Sequence, residues 1–182
     1  MTKDYIITVA LEDELPILKN ESIIYTGIGK INATYKLTKY LAENPHINKV
    51  FNFGTAGAVT KLNTDVIKCS RFIQGDMDCS SVGFRPTVTP YEHHTHIISF
   101  GKGAICSTQD FFVTFTPEYK CDVVDMEAYA LAKVCKLFNK QFICYKFISD
   151  KVGSQNQAEE WDQNKSFGAN IFQDILHKEL QQ

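Results

Sequence analysis

The sequence has no long apolar run, no run of five like charges and no pair of cysteines in CxxC spacing. No stretch is long enough to span a bilayer, and residues 1–4 lack the apolar core of a signal peptide. The formal net charge of -2 gives nucleic acid and anionic membrane surfaces little electrostatic attraction. We therefore expect a cytoplasmic protein that contacts no membrane and no nucleic acid and binds a small, roughly neutral molecule.

Residue types that commonly bind metals are also poorly placed. The six cysteines are scattered along the chain, which favours reduced and mostly buried thiols over disulfides or zinc ligands. His93, His94 and His96 lie together in a polar segment, a context more typical of solvated loop histidines than of a metal site. We expect no metal and no cofactor.

The pattern of apolar residues predicts the fold class. With 182 residues, 44% of them hydrophobic, the chain can form one core, and we expect one domain over residues 1–182. Apolar segments of strand length alternate with segments of helical periodicity. Such alternation predicts three α/β/α layers around a mixed, largely parallel central sheet. The predicted strands cover residues 5–10, 23–25, 49–53, 66–69, 96–100 and 141–147, and the predicted helices cover 13–18, 32–43, a segment from Ala128, and a last helix that buries Phe167, Ile171, Ile175 and Leu176.

Two acidic residues stand where predicted apolar strands end. Glu127 follows the segment 123–126, and Asp150 follows the segment 141–149. A buried carboxylate is costly unless it is paired or used, although an N-cap and a turn acid would explain the two residues equally well. Ligands of open α/β sheets bind at the carboxyl ends of the strands, so these acids and the glycine-containing loops 27–30 and 54–57 are expected to converge.

The glycine loops do not form a dinucleotide-binding motif. Neither loop has the GxGxxG pattern followed by an acidic residue about twenty positions later, so a Rossmann cofactor role is rejected.

Six segments in a fixed order carry a resemblance to a known family. The chain resembles the nucleoside phosphorylase and nucleosidase superfamily, and within it most closely the methylthioadenosine/S-adenosylhomocysteine nucleosidases. Each segment is weakly specific alone, and together they cover most of the chain. The segments are residues 10–15, 26–30, 52–57, 107–113, 124–128 and 148–150.

The resemblance implies roles for three acids. Glu14 matches the general base that activates a water for attack on the anomeric carbon. Glu127 matches the acid that binds the ribose hydroxyls, and we expect it to stay ionised. Asp150 matches the acid that donates a proton to purine N7, which makes the base a better leaving group, so burial should raise its pKa.

The resemblance also implies a set of substrate-binding residues. Phe112 would stack on the base, the Val113 backbone would read its edge, and Ser149 would support Asp150. Met126 would pack beneath the sugar, and Thr55 would position the water. For the apolar members of the set, plain core packing is the alternative. The remaining members are Leu11 and Ile28, which match residues lining the base and 5′ regions, and Lys146, which stands where the nucleosidases usually have arginine.

The scarcity of arginine favours hydrolysis over phosphorolysis. Arginine forks are the usual ligands of a phosphate dianion, but the chain contains only Arg71 and Arg85. The phosphorylases carry an arginine before the second glycine loop, where this chain has Asn52. The expected reaction is hydrolysis of the N-glycosidic bond of an adenine nucleoside with a 5′-thio substituent. The alternatives are hydrolysis of another purine nucleoside or nucleotide, a phosphorylase, and a catalytically inactive purine-binding protein.

The chain departs from the family pattern in length. It is shortened between residues 64 and 103, and a helix of the relatives is expected to be missing there. In the relatives this region contributes to the dimer contact and closes the 5′ end of the pocket. A homodimer is nevertheless expected from the family.

Overall fold

The computed structural model describes residues 3–16, 18, 21–92 and 96–181. Within them are eight strands and four α-helices. The strands are β1 Tyr5–Val9, β2 Ile23–Tyr25, β3 Lys49–Ala58, β4 Val66–Gln74, β5 Ile98–Ser99, β6 Ala104–Thr108, β7 Val123–Asp125 and β8 Gln141–Lys151. The α-helices are α1 Lys30–Glu43, α2 Ala128–Leu137, α3 Gln157–Asn164 and α4 Ala169–Leu180, and Ser80–Val82 forms a short 3-10 helix.

The strands form one mixed sheet that is partly closed. The pairs β1–β2, β1–β3, β3–β8, β4–β6 and β6–β7 are parallel, whereas β3–β7, β4–β5 and β4–β8 are antiparallel. Strands β3, β8, β4, β6 and β7 are therefore joined in a ring, from which β1 and β2 extend. The prediction of a mixed, largely parallel sheet is confirmed.

Helices cover both faces of the sheet because neighbouring strand residues point to opposite sides. On one face, Ile6 and Val50 pack in the same core as the buried side of α1 and most of α2. On the other face, Ile7 and Phe51 pack with Phe172 of α4. The three layers predicted from the alternation of strands and helices are thus present.

The second glycine segment was expected to be a loop, and this expectation is wrong. Gly54 and Gly57 lie inside β3, which continues to Ala58 because β8 pairs with it along its whole length. Strand β8 likewise extends to Lys151, so Asp150 lies inside a strand instead of following one. An irregularity in the pairing between Ala56 and Gly57 sets Gly57 opposite Asp150.

Two further features differ from the prediction. The described part of residues 13–18 contains a turn and no helix, because the Glu14 side chain bonds back to the Leu11 backbone; Ile17 lies outside the described residues. In the last helix, Phe172 takes the buried place expected for Phe167, which precedes α4 and is 63% exposed.

The shortened region consists mostly of strand and irregular structure. In the described residues between 64 and 103, the only helix is the 3-10 turn. Strand β4 is longer than predicted and binds β6, β8 and the short β5. Strand β5 pairs antiparallel with β4.

Candidate active site

A cavity of about 310 Å³ opens where the ends of several strands meet. Its walls come from the residues after β1, the loop before α1, the small residues of β3, the segment after β6, the β7–α2 junction, the end of β8, and α3. The lining residues are Ala10, Leu11, Glu14, Ile28, Thr55, Ala56, Gly57, Phe111, Phe112, Val113, Val124, Asp125, Met126, Glu127, Ser149, Asp150, Gln157 and Trp161.

Glu14 is held at one side of the cavity by three hydrogen bonds. Its Oε2 accepts from the Leu11 backbone N–H at 3.1 Å. Its Oε1 accepts from both the backbone N–H and the hydroxyl of Thr55, at 2.8 and 2.7 Å. Trp161 Nε1 donates to the same hydroxyl at 3.2 Å, while the hydroxyl donates its own proton to Glu14. The carboxyl is therefore fixed as an acceptor beside β3.

Glu127 is positioned by the loop before α1. Its Oε1 accepts from the Gly29 backbone N–H at 2.9 Å. Gly29 has a φ of 95°, a conformation that favours glycine, and this turn directs the N–H toward the carboxyl. Although Glu127 occupies the N-cap position of α2, its side chain makes no capping hydrogen bond. The carboxyl therefore reaches across to another element of the cavity wall.

Asp150 lines the cavity from the end of β8. Its Oδ1 accepts from the Ser149 hydroxyl at 2.6 Å, and its Oδ2 accepts from Gln157 Nε2 at 2.9 Å. A Cβ added to Gly57 would lie only 2.8 Å from Oδ2, so the carboxyl needs a residue without a side chain on the neighbouring strand. Glycine at this point of β3 allows Asp150 to lie against the backbone.

A buried ion pair lies beneath Glu127. Lys146 Nζ is 2.9 Å from Asp125 Oδ2, and the Lys146 residue is 1% exposed. Asp125 also accepts from the Thr108 hydroxyl at 2.6 Å and from the Ala128 backbone N–H at 2.9 Å, which satisfies the first turn of α2. The pair supports the cavity floor from below.

Burial changes the proton affinity of the Glu127 and Asp150 carboxyls. Burial and the nearby Asp125 raise the pKa of Glu127 to about 8, against the opposing effects of Lys146 and the Gly29 N–H. Burial also raises the pKa of Asp150, although hydrogen bonds from Ser149 and Gln157 oppose the shift. Both changes follow from the cost of a charge in a poorly solvated site.

These shifts bear on two expectations. The pKa of Asp150 is raised, which is the expected direction. The pKa of Glu127 is also raised, to about 8, which runs against the expectation that Glu127 stays ionised.

The charge of Lys146 is retained despite its burial. Burial acts to lower the pKa of this lysine, but the Asp125 carboxylate and further buried groups raise it well above its ordinary value. Lys146 is therefore a permanent cation under the site.

Aromatic side chains form the open side of the cavity. Phe112 is 40% exposed and meets Trp161 edge to face, with 6.4 Å between the ring centroids. Phe111 stacks on Phe115 at 6.1 Å. A flat apolar ligand could therefore lie against the ring of Phe112 at the open side of the cavity. Trp161 lies within α3 and lines the cavity.

The structure brings nearly all the sequence-predicted site residues to this one cavity. All of them line it except Lys146, whose ammonium group is held under the floor by Asp125. Sequence reasoning missed Asp125 as a partner and did not find Gln157. Asp125 lies two residues before Glu127, and this spacing was a usable signal. Gln157 lies in no recognised motif, so nothing in the sequence singled it out.

No cationic side chain lines the cavity in the part of the chain that the structure describes. Arg71 donates to the Gly103 carbonyl, and Arg85 lies elsewhere on the surface. Asn52 is buried and donates to the Thr8 carbonyl at 3.1 Å. The cavity thus lacks the forked donors with which a phosphate dianion is usually bound.

The described residues contain no group of three or more His, Cys, Asp or Glu side chains arranged to hold a metal ion. His93 and His94 lie outside them. Within the same residues, none of the helices has the length and apolar character required to cross a membrane.

Comparison with known proteins identifies relatives by sequence. A profile of the phosphorylase superfamily matches residues 87–178. A 5′-methylthioadenosine/S-adenosylhomocysteine nucleosidase of Anoxybacillus flavithermus is 27% identical over 166 residues, which span 76% of this chain and 71% of the relative. The enzyme of the same name from Staphylococcus saprophyticus is 29% identical over 162 residues, spanning 73% of this chain and 70% of the relative.

Solved structures share the fold at lower identity. A futalosine hydrolase mutant of Helicobacter pylori superposes with a TM-score of 0.82 at 18% identity, covering 96% of this chain and 98% of that one. A mutant 5′-methylthioadenosine/S-adenosylhomocysteine nucleosidase of the same species, with 5′-methylthioadenosine in its active site, has a TM-score of 0.82 at 19% identity over 98% of this chain and all of that one. With a family profile matching half of its length, the chain belongs to the phosphorylase superfamily.

Proposed function

We propose that this protein hydrolyses the N-glycosidic bond of a purine nucleoside and that Glu14, Glu127 and Asp150 carry the reaction. The observation that supports it most is that these three acids, far apart in sequence, line one cavity of about 310 Å³. The cavity lining is mostly apolar and carries few polar groups besides the acids, as small-molecule sites usually do.

In this proposal Asp150 is the general acid. Adenine leaves poorly as an anion, so a proton given to N7 allows the C–N bond to break through a cationic sugar. The raised pKa of Asp150 keeps a larger share of the carboxyl protonated near neutral pH. Ser149, which binds Oδ1, supports the carboxyl from behind.

Glu14 would act as the general base. Its Oε1 accepts hydrogen bonds from the Thr55 hydroxyl and backbone N–H, so a water bound near Thr55 would lie within reach of the carboxylate. That water would attack the anomeric carbon as the base leaves, and Glu14 would take its proton.

Glu127 would bind the ribose hydroxyls, with Met126 packing beneath the sugar. As a mostly neutral carboxyl in the empty site, Glu127 can both donate and accept a hydrogen bond. The positive charge that develops on the sugar would favour its ionised form and so strengthen the interaction in the transition state. Lys146, which is bound to Asp125, would not contact the substrate, but its charge opposes the rise in the pKa of Glu127.

The base would lie against Phe112, with its edge toward Val113 and its N7 toward Asp150. Val113 is buried at the back of the cavity, and Phe112 remains partly open on the solvent side. Leu11 and Ile28 would line the base and 5′ regions.

Water is the proposed nucleophile, because no cationic side chain among the described cavity residues could hold a phosphate dianion. The names of the curated relatives favour adenine nucleosides with a 5′-thio substituent, namely 5′-methylthioadenosine and S-adenosylhomocysteine. We further propose that residues 1–182 act as one nucleosidase domain in the cytoplasm, where the six free cysteines would stay reduced.

The test is the release of free base from methylthioadenosine, S-adenosylhomocysteine, adenosine and inosine, with and without phosphate. Release that does not depend on phosphate, together with formation of the free sugar, is expected. Strict dependence on phosphate would replace the proposal with a phosphorylase. Binding of these nucleosides without turnover would replace it with a purine-binding protein.

A homodimer is also proposed. Ile31 and Tyr35 of α1 and Leu137 of α2 are 80%, 64% and 67% exposed, and they lie along one groove between these helices. Exposed apolar residues grouped in this way mark association surfaces. Sedimentation should give a dimer that Ile31→Glu converts to a monomer; a wild-type monomer at assay concentration would contradict the assignment.

A further inference from the structure

Gln157 is a cavity residue to which the proposed reaction assigns no role. It begins α3, is only 5% exposed, and lines the cavity beside Asp150. Its Nε2 donates to the Val113 carbonyl at 2.8 Å and to Asp150 Oδ2 at 2.9 Å. Its Oε1 accepts from the Gly153 backbone N–H at 3.0 Å. One amide group thus bridges the proposed acid and the backbone that would read the base.

Two backbone groups fix which way this amide points. The Gly153 N–H can only donate, so it requires the amide oxygen. The Val113 carbonyl can only accept, so it requires the amide nitrogen. Reversing the amide would set its oxygen against the Val113 carbonyl and its nitrogen against the Gly153 N–H, whatever the protonation state of Asp150. Gln157 therefore presents N–H donors, not an acceptor, to the space between Val113 and Asp150.

The proposed orientation of the purine brings one particular substituent to this space. If N7 faces Asp150 and the edge carrying N1 faces Val113, then C6 lies between them, because C6 is bonded to N1 and to the ring carbon next to N7. Gln157 Nε2 occupies the corresponding position on the protein, bound to both groups. The substituent on C6 must therefore meet the amide nitrogen of Gln157.

We propose that Gln157 is a specificity-determining residue that lets the site accept 6-oxopurine nucleosides in addition to adenine nucleosides. This inference rests on the proposed function and names the base that the site reads. A 6-oxo group accepts from Nε2, while N1–H of the same base can take over the bond to the Val113 carbonyl. A 6-amino group can only donate, so it gains no hydrogen bond from Nε2, and its own N–H groups must compete with Nε2 for the Val113 carbonyl.

The test uses free bases, so that it does not depend on turnover. The dissociation constants of hypoxanthine and adenine are measured by calorimetry for the wild type, Gln157→Leu and Gln157→Glu. The first variant removes the donor at similar side-chain length, and the second replaces Nε2 by oxygen. Gln155→Leu is the matched control, because Gln155 is exposed and does not line the cavity. Thermal melting verifies that each variant is folded.

In the wild type, hypoxanthine should bind at least as tightly as adenine. The ratio of hypoxanthine to adenine affinity should fall fivefold or more in both Gln157 variants, as expected for loss of a buried hydrogen bond, and stay the same in the control. A smaller fall, or tighter wild-type binding of adenine than of hypoxanthine, would overturn the role of Gln157 and leave the nucleosidase proposal standing. Failure of the wild type to bind either base would overturn both.

Discussion

At the scale of single residues, the three acids of the cavity are distinguished by their neighbours. Glu14 accepts two backbone N–H bonds and one hydroxyl bond, which suit a carboxylate. Asp150 accepts only from a hydroxyl and an amide. Glu127 accepts one N–H and lies near the buried Asp125. The same side-chain chemistry can therefore serve as a base in one place and as an acid in another.

The first prediction concerns the proposed acid. Asp150→Asn keeps the size of the side chain but cannot supply an acidic proton, so the turnover number should fall by about 10²–10⁴. Binding of free adenine should change little, because an amide can still donate to N7. Steady-state kinetics and calorimetry check the two parts. Near-normal turnover would remove Asp150 from the chemistry.

The second prediction concerns the partner of Glu14. Thr55→Val removes the hydroxyl that donates to Oε1 at 2.7 Å and preserves the shape of the side chain. Loss of one such bond at a charged acceptor should lower kcat by roughly tenfold. Thr55→Ser retains the hydroxyl and should remain within about threefold of wild type on the same scale. Equal activity of Thr55→Val and Thr55→Ser would count against the arrangement.

The third prediction concerns pH and Glu127. Its pKa is raised from 4.5 to about 8, so the folded state favours the neutral form. The resulting contribution to stability is complete below the unfolded pKa and is lost as pH rises through the folded value. Glu127→Gln, which is neutral at every pH, should therefore gain stability relative to wild type as the pH rises from 5 to 9, by on the order of 4 kcal/mol.

Denaturant titrations at the two pH values measure this difference. The groups that face Glu127 are Asp125, Lys146 and Glu14, and they are unchanged in the variant. Glu159→Gln, at an exposed position in α3, is the control and should show no comparable pH-dependent gain. A gain of equal size at pH 5 and pH 9 would show that packing, not ionisation, is responsible.

At this scale the sequence motifs identified most of the cavity-lining residues, because motif residues are those whose side chains would contact a ligand. The motifs failed where a role depends on a contact between distant segments. Lys146 was expected at the substrate, but its ammonium group is held by Asp125. Gln157 was not found, because its bonds to Val113 and Asp150 arise from the folding of α3 onto the end of β8.

At the scale of elements, the pairing of strands β3 and β8 determines how closely Asp150 approaches the backbone of β3. Their parallel pairing runs from Lys49 to Ala58 and is interrupted by one irregularity after Ala56. This irregularity brings Gly57 beside Asp150 and lets a carboxyl lie against the backbone. Irregular pairing next to functional residues is a common way of turning a side chain toward a ligand.

The fourth prediction tests this close approach. In Gly57→Ala the new Cβ would lie 2.8 Å from Asp150 Oδ2 and 3.2 Å from a Val152 methyl. Overpacking of this kind costs about 1–3 kcal/mol of stability. Because the acid itself is displaced, kcat should fall at least about tenfold, which corresponds to roughly 1.4 kcal/mol.

Gly83→Ala is the matched control. Gly83 has a φ of 90° with open space around it, so alanine strains only the backbone, far from the cavity lining. It should lose stability by about 1–3 kcal/mol and keep normal kcat. If Gly57→Ala also keeps normal kcat, the glycine is needed for folding alone.

Element types were largely predictable from sequence and element ends were not. Hydrophobic periodicity identified α1, α2 and most strands, because these segments bury a continuous face. The periodicity ended the predicted strand before Gly54, because Gly54, Thr55 and Gly57 are residues typical of loops. Pairing with β8 keeps these residues in β3. Local patterns cannot report such pairing, which depends on a segment some ninety residues away.

At the scale of the whole molecule, the partly closed sheet explains why residues far apart in sequence meet. The ring formed by β3, β8, β4, β6 and β7 turns the ends of β3, β7 and β8 toward one cavity, and the loop before α1 closes it from the side of β1. The alternation of strands and helices predicted the three layers. The closure was not predictable, because it depends on the antiparallel β3–β7 and β4–β8 pairs.

The most direct test of the account is a crystal structure of the Asp150→Asn variant with a purine nucleoside bound. We expect the nucleoside in the cavity, with N7 in hydrogen-bonding distance of residue 150, the ribose hydroxyls at Glu127, and a water between Glu14 and the anomeric carbon. A nucleoside bound elsewhere, or bound in this cavity with its glycosidic bond remote from all three acids, would contradict the account.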